Sequence, residues 1–501
     1  MHTHSWVRVL LRHSTAIGLC LAMQGLFLPQ MLVAQPGSDS LAAAQLIQAG
    51  KEHFDNKRYG EALEYFRQGQ ARYEALGLWA NALTTLGEIC DFFVRTNRFA
   101  ELEKEALRAR ELIRTHLDST ATTWPNFLVF QSMAVLELGR IAEAVALDRQ
   151  ILAWRQQYTP TDTVAIASAY GNLGRSNSSL GDLQQASEAL QAGRALLGQA
   201  QSKRARVMLC RVTINAATVC GKLHQLDQAQ ALFEEALAIA EAYKLSDEIA
   251  VCLYNAAAVR GERGDVEGAL YRVEKSKALL LETSGPEAPM VGYIYNLTGI
   301  LYGSIGQYAE AREAHNRSLA IARKHFGEVH PQVAASLTAL GQLAAEEDNP
   351  AETVTTLRAS LAILDQIFPG PHPLKTIPYI LLAETYLTIH PDSAQVFAQN
   401  SYDNALAIYG PRNANTADGL AVLAQAAQRR RQTGQALALA QRAVIAASQH
   451  FEQTDPAQNP APPKLRGAPS ITTTWFARIV ATARPRSLVP FGSRRNSELL
   501  V

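Results

Sequence analysis

Between residues 290 and 326 the chain twice sets apolar residues at helical spacing. "MVGYIYNLTGILYGSI" carries the first run and stops at Gly306. "YAEAREAHNRSLAIARKHF" carries the second, with Tyr308, Ala311, Leu319 and Ile321 on one side. Gly306 is a helix-stop signal, and "GEVHP" ends the second run. The pattern therefore predicts a helix, a tight turn and a second helix.

This layout recurs along the chain. Aligned on "GQYAEA", the positions Ala62, Leu102, Ala144, Ala186, Ala229, Ala269, Ala311, Thr353, Ala394 and Ala436 fall 40 to 43 residues apart. They define about ten units over residues 41–451. Twelve residues before an anchor stands Gly50, Ser132, Gly174, Ala217, Ala257, Gly299 or Gly341. Seven after it stands Gly69, Gly193, Ala236, Ser276, Ser318, Ser360 or Ala443. Small residues at fixed places in both helices let two backbones approach closely. Pro289, Pro331 and Pro373 share a 42-residue spacing, as do Gly285 and Gly327. That period accounts for the cluster His325, Glu328 and His330 in "KHFGEVHP": like His372 in "FPGPHP", His330 belongs to a joint between helices, before a proline that starts the next one.

The small-residue pattern resembles the tetratricopeptide repeat, most closely over residues 164–364. Gly299, the turn Gly306-Gln307-Tyr308-Ala309-Glu310-Ala311 and Ser318 carry the likeness. The 42-residue spacing and "FGEVHPQVA" resemble the kinesin-light-chain type of the repeat. It implies an all-α fold, an α-solenoid wound as a right-handed superhelix of about ten helix pairs. Such arrays stack units that cannot bury their apolar faces alone, and present an extended concave surface. The resemblance implies a protein or peptide partner in that groove.

Asn172, Asn215 and Asn255 occupy one first-helix position in successive units, and Asn296 lies one place earlier in the next. An asparagine side chain can pair with both the N–H and the C=O of an extended peptide, so these four are candidate peptide contacts. The bland alternative is that they bond neighbouring units. Arg175, Arg211 and Lys222 lie nearby and favour an acidic or C-terminal carboxylate ligand.

The sequence holds no H-E-x-x-H, no phosphate-binding loop and no G-x-S-x-G. "GSIG" and "GERGDVEG" are turns, and Glu234-Glu235 and Glu346-Glu347-Asp348 read as solvated helix faces. No catalytic residue, metal site, cofactor or small-molecule substrate is expected. The net charge of +1 points to no nucleic-acid partner.

The two ends differ from the array. Arg8 and Arg12 precede an uncharged apolar run to Ala34, which reads as a secretory signal peptide over residues 1–34 cleaved after Ala34. An uncleaved membrane anchor is the alternative. Leu19 before Cys20 argues against a lipoprotein. The domains are then 1–34, a solenoid over 35–451, and a basic, Pro-rich, disordered tail over 452–501, with seven basic residues against Glu498 in 456–501. Four cysteines follow the leader. Export permits disulfides and Cys210–Cys252 is the one plausible bridge, but small buried hydrophobes are the better reading. The leader, the repeats and "ALALAQRAVIAASQHFEQTDPAQNP" also resemble the N-terminal half of bacterial proteins ending in a caspase-like CHAT domain. No cysteine follows Cys252, so the His–Cys dyad of that domain has no place here. The reading is an exported, non-catalytic scaffold; the alternative is the recognition half of a truncated or split peptidase of that kind.

Overall fold

The computed structural model describes residues 38–447, apart from 57, 118–123, 199 and 287. The leader over 1–34, with Cys20, and the whole segment over 452–501, with its basic residues, lie outside the described residues. The described residues form helices and no strand. Ten pairs follow one another: α1 (Ser38–Asp55) and α2 (Tyr59–Ala75), α3 (Trp79–Arg95) and α4 (Phe99–His116), α5 (Trp124–Glu137) and α6 (Ile141–Tyr158), α7 (Thr163–Leu180) and α8 (Leu183–Leu197), α9 (Lys203–Lys222) and α10 (Leu226–Ala242). Then come α11 (Ser246–Glu262) and α12 (Val266–Thr283), α13 (Pro289–Ser304) and α14 (Tyr308–Phe326), α15 (Pro331–Glu346) and α16 (Pro350–Ile367), α17 (Thr376–Ile389) and α18 (Pro391–Tyr409), α19 (Ala414–Arg429) and α20 (Thr433–Ala447). The fold is an all-α solenoid. Its contacts group the chain into two units that divide after Pro378.

The repeat register has a direct packing cause. All ten anchor positions, from Ala62 to Ala436 and including Leu102 and Thr353, are 0 % exposed. Each is preceded, five residues earlier in most units, by a left-handed turn residue: Gly139, Gly181, Gly264 and Gly306, but also Asn97, His224, Asp348 and Arg431. The turn thus accepts several side chains, although glycine suits positive φ best.

Between the helices of a unit, the small residue twelve before the anchor receives the large residue four after it. A Cβ on Gly50 would come within 2.7 Å of Phe66, on Gly174 within 2.5 Å of Leu190, and on Gly341 within 2.8 Å of Leu357. Interiors packed this closely leave no room for an added methyl without movement. The third unit uses a polar version of this fit: Ser132 Oγ donates to Asp148 Oδ1 at 2.7 Å.

Neighbouring units are tied by ion pairs about one repeat apart. Arg67 meets Glu105, Arg194 meets Glu235, and Arg312 meets both Glu347 and Glu352. Glu234 pairs with Arg272. Glu234 keeps 43 % of its side chain exposed beside that arginine, whereas the solvated reading fails for Glu347, which Arg312 of a neighbouring helix covers to 26 % exposure. It fails for Glu346 for another reason. At the C-terminal end of α15 its Oε1 is buried without a hydrogen-bond partner, and burial pushes its pKa up to about 8.

The joints before α15 and α17 share one geometry. His330 Nδ1 accepts the N–H of Gln332 at 3.1 Å and its ring stacks on Phe326. His372 Nδ1 accepts the N–H of Leu374 at 3.3 Å and its ring stacks on Phe368. Pro331 opens α15, whereas Pro373 opens a short 3-10 turn, Pro373–Lys375, before α17. Glu328 pairs with Arg323. Capping, stacking and pairing thus use the whole His325–His330 segment as a joint.

Cys90, Cys210, Cys220 and Cys252 are free thiols and all are buried. Cys210 donates to the Ala236 carbonyl at 3.3 Å, and on the neighbouring first helix the Cys210 thiol and burial both raise the pKa of Cys252.

Candidate functional site

On α9, Arg211, Asn215, Thr218 and Lys222 are half-buried and follow one another at spacings of four, three and four. They therefore share one face. The corresponding row on α7 includes Asn172, Arg175 and Ser179. This is where the predicted contact residues come together, and the structure sorts them into distinct roles.

Asn172 and Asn215 are half-buried, and neither side chain makes a hydrogen bond among the described residues. Asn255 is buried; its Nδ2 donates to the Val251 carbonyl of its own helix at 3.0 Å, and its Oδ1 has no partner. Asn296 is engaged within its own unit, its Oδ1 lying 3.0 Å from His315 Nδ1. Burial, reinforced by the Arg312 charge, lowers the His315 pKa to about 4. The ring is neutral at pH 7, and Nδ1–H donates to the asparagine. Two of the four asparagines thus keep their hydrogen-bonding capacity, and two spend at least part of it on the fold.

Two of the three cations have an internal partner, and Arg175 has none among the described residues. Arg211 donates to Glu248 Oε1 from Nε at 3.0 Å and from Nη2 at 2.8 Å, bridging α9 to α11. Lys222 donates to Ser178 Oγ at 3.0 Å, bridging α9 to α7. Arg175 is buried; burial lowers its pKa, and the charges of Asp148 and Glu137 offset that cost only in part. Its Nε and Nη1 make no hydrogen bond among the described residues. A carboxylate ligand at Arg211 would compete with Glu248.

Asp148 was not legible as part of this region, although a signal existed. It stands four residues after an anchor, where other units place Phe66, Leu190, Phe233, Val273, His315 and Leu357. An acid alone in that apolar register needs partners, and it accepts from Ser132 and from Ser176 at 2.5 Å. Burial raises its pKa and the two hydroxyls and Arg175 oppose the rise. Glu137 is pushed up to about 7 by burial, against the pull of Arg175.

A cavity of about 490 Å³ lies between α6, α7 and α8, lined by Pro160, Ile166, Tyr170, Ala192, Ala195 and Leu196, with Gln156. It holds no charged side chain. Among the described residues, no three of His, Cys, Asp and Glu converge to hold a metal ion, and no helix is long and apolar enough to cross a membrane.

Two tetratricopeptide-repeat family models match, one over residues 208–282, 249–324 and 291–366, the other over 167–193. Residues 167–193 and 208–366 carry tetratricopeptide repeats. No curated protein matches it. Among solved structures, BtubC (BKLC) from P. vanneervenii is 19 % identical and aligns over 48 % of this chain and 93 % of its own, with a TM-score of 0.37. A Rap protein complexed with competence and sporulation factor is 15 % identical over 70 % and 96 %, with a TM-score of 0.48. Aspartyl phosphate phosphatase F from Bacillus subtilis is 14 % identical over 80 % and 96 %, with a TM-score of 0.42.

Proposed function

We propose that the chain is an exported, non-catalytic scaffold whose tetratricopeptide repeats hold an extended peptide segment of a protein partner. One observation carries the reading: Asn172 and Asn215 stand at the same repeat position on successive first helices and are half-buried without a side-chain partner. Packed helices lie about 8–10 Å apart. An extended chain advances about 3.3 Å per residue. The two amides would therefore grip backbone groups about three residues apart, with little regard to side chains. The paired states of Arg211 and Lys222 favour a backbone-directed contact over a carboxylate-directed one. The reading of export rests on residues 1–34, and that of a CHAT-type relative on this leader, the repeats and residues 436–460 together; a leader peptide found intact on membrane-bound protein would replace the cleaved signal by the uncleaved anchor.

A displayed library of random peptides tests the groove. Peptides enriched on the wild-type protein should lose at least tenfold in affinity for the N172A/N215A variant. Asn255→Ala and Asn296→Ala should instead change stability. Enriched peptides that bind N172A/N215A as tightly as wild type, or no enrichment at all, would overturn the proposal.

A further inference from the structure

The two joints built on Phe-x-x-x-His-Pro, 326–331 and 368–373, differ in one respect. Their backbones coincide, with φ and ψ of −149° and 145° at His330 and −149° and 141° at His372. In both, Nδ1 accepts a backbone N–H, which leaves the ring proton on Nε2. At His330 that Nε2 has no partner. At His372 it donates to the carbonyl of Glu137, 3.0 Å away and 235 residues earlier.

The residues around this bond fit one another. Leu138 packs against the cluster of Ala334, Leu364 and Phe368, together with Leu374. Lys375 Nζ donates to the Gly370 carbonyl at 3.0 Å and pairs with Asp365, which fixes the joint from its other side. Gly139 lets the two segments meet. A Cβ there would lie 2.7 Å from His372 Cδ2 and 3.4 Å from both the Pro371 carbonyl and Pro373. The left-handed φ of this turn does not by itself demand glycine, since Asn97 takes the same place at φ 54°. At Gly264 and Gly306, the same turn position has nothing within 4 Å.

We propose that the Phe368–Lys375 joint is a clasp that fastens the eighth repeat to the turn of the third, closing the repeats between them into a loop that release of the clasp lets open. The device is independent of what the asparagine row binds. It explains why one of two like joints carries a satisfied Nε2, and why the turn it meets ends in a residue without a side chain.

Gly139→Asn tests the clasp, because it keeps a residue suited to positive φ and places a Cβ against His372. Gly264→Asn makes the same change where there is space. Amide hydrogen exchange over 368–376 should quicken at least tenfold in Gly139→Asn and stay at the wild-type rate in Gly264→Asn. His372→Asn approaches from the other side: Asn413 caps α19 with φ −148° and ψ 148°, accepting from Asn415 at 2.9 Å, so asparagine can keep the cap and lose the reach. It should quicken exchange over 136–141. Spin labels at Ala142→Cys and Gln366→Cys, both exposed, should give one narrow distance that broadens in Gly139→Asn. Unchanged exchange in both clasp variants, or an unbroadened distance, would mean that stiffness of the stacked repeats sets the approach, and the clasp would be refuted.

Discussion

The fit between Gly174 and Leu190 makes a prediction whose sign depends on background. Alanine at 174 would put its Cβ 2.5 Å from Leu190 Cγ, 2.8 Å from Cδ2 and 3.0 Å from Cδ1. Leu190 is 0 % exposed and has nowhere to withdraw. Two effects oppose each other. Replacing glycine by alanine inside a helix stabilises by about 1 kcal/mol, and overpacking a tight core costs about 1–3 kcal/mol. Gly174→Ala alone should therefore range from neutral to about 2 kcal/mol destabilising. Leu190→Ala alone should cost about 2–5 kcal/mol, from lost burial and the cavity left behind. In the double variant the new methyl enters vacated space, so the overpacking vanishes and the helix gain remains. Adding Gly174→Ala to Leu190→Ala should then stabilise by about 1 kcal/mol. The double-mutant cycle should show a coupling of about 1–3 kcal/mol. Urea unfolding followed by circular dichroism gives the four stabilities. Hydrogen exchange over α7 and α8 guards against units that unfold separately. Equal effects of Gly174→Ala in the two backgrounds, within about 0.5 kcal/mol, would show that Gly174 is not the seat of Leu190 and would undo the packing account of the repeat.

Two further outcomes follow from the buried charges. The pKa of Glu346 is raised to about 8 and that of Glu137 to about 7, so the folded state holds protons that the unfolded chain releases near its ordinary 4.5. Stability is greatest below that value and falls as pH rises through the window up to about 8. The slope for one group is at most about 1.4 kcal/mol per pH unit, less for a side chain with partial access to water. Glu346→Gln should flatten the melting temperature measured from pH 5 to 9, and curves that stay parallel to wild type count against a buried Glu346. Arg211→Ala leaves Glu248 buried without its cation and should cost about 3–5 kcal/mol, whereas removing both charges by Arg211→Met with Glu248→Leu should recover much of that. A loss below about 1 kcal/mol in thermal unfolding of the single variant would place the pair among weak surface bridges.

The period was legible because packing repeats. Each anchor must sit against its partner helix with no space to spare, so the sequence shows small residues 40 to 43 apart, and every one of them is fully buried. The helix limits around Gly306 and Pro331 followed from turn and cap chemistry that is local by nature. What was not legible was long-range. Arg211 looks like a free groove cation until Glu248 arrives from the next unit. Asn296 looks like its neighbours until a histidine from the second helix takes its oxygen. His372 and His330 are indistinguishable as local motifs, and only the structure brings Glu137 to one of them. Glu346 looks exposed because a run of three acids usually is, and its burial depends on where α15 ends.

The third repeat is where these departures gather. Ser132 and Asp148 replace the glycine and large side chain that other units use, so its interior holds an acid that needs Ser132, Ser176 and the charge of Arg175. Buried ionic groups seldom add net stability over well-packed apolar side chains, so this unit gives up some packing energy. The carbonyl that His372 reaches belongs to Glu137, at the end of the same unit's first helix, and the Glu137 carboxylate shares Arg175 with Asp148. The polar interior and the clasp thus meet at one helix end. A unit held by directional hydrogen bonds fixes the orientation of α5 more tightly than methyl-to-methyl contact does, and orientation is what a contact across 235 residues requires. Asn172 lies three residues before Arg175 on the neighbouring helix. The amide proposed to meet a peptide is therefore set beside the most tightly specified part of the array.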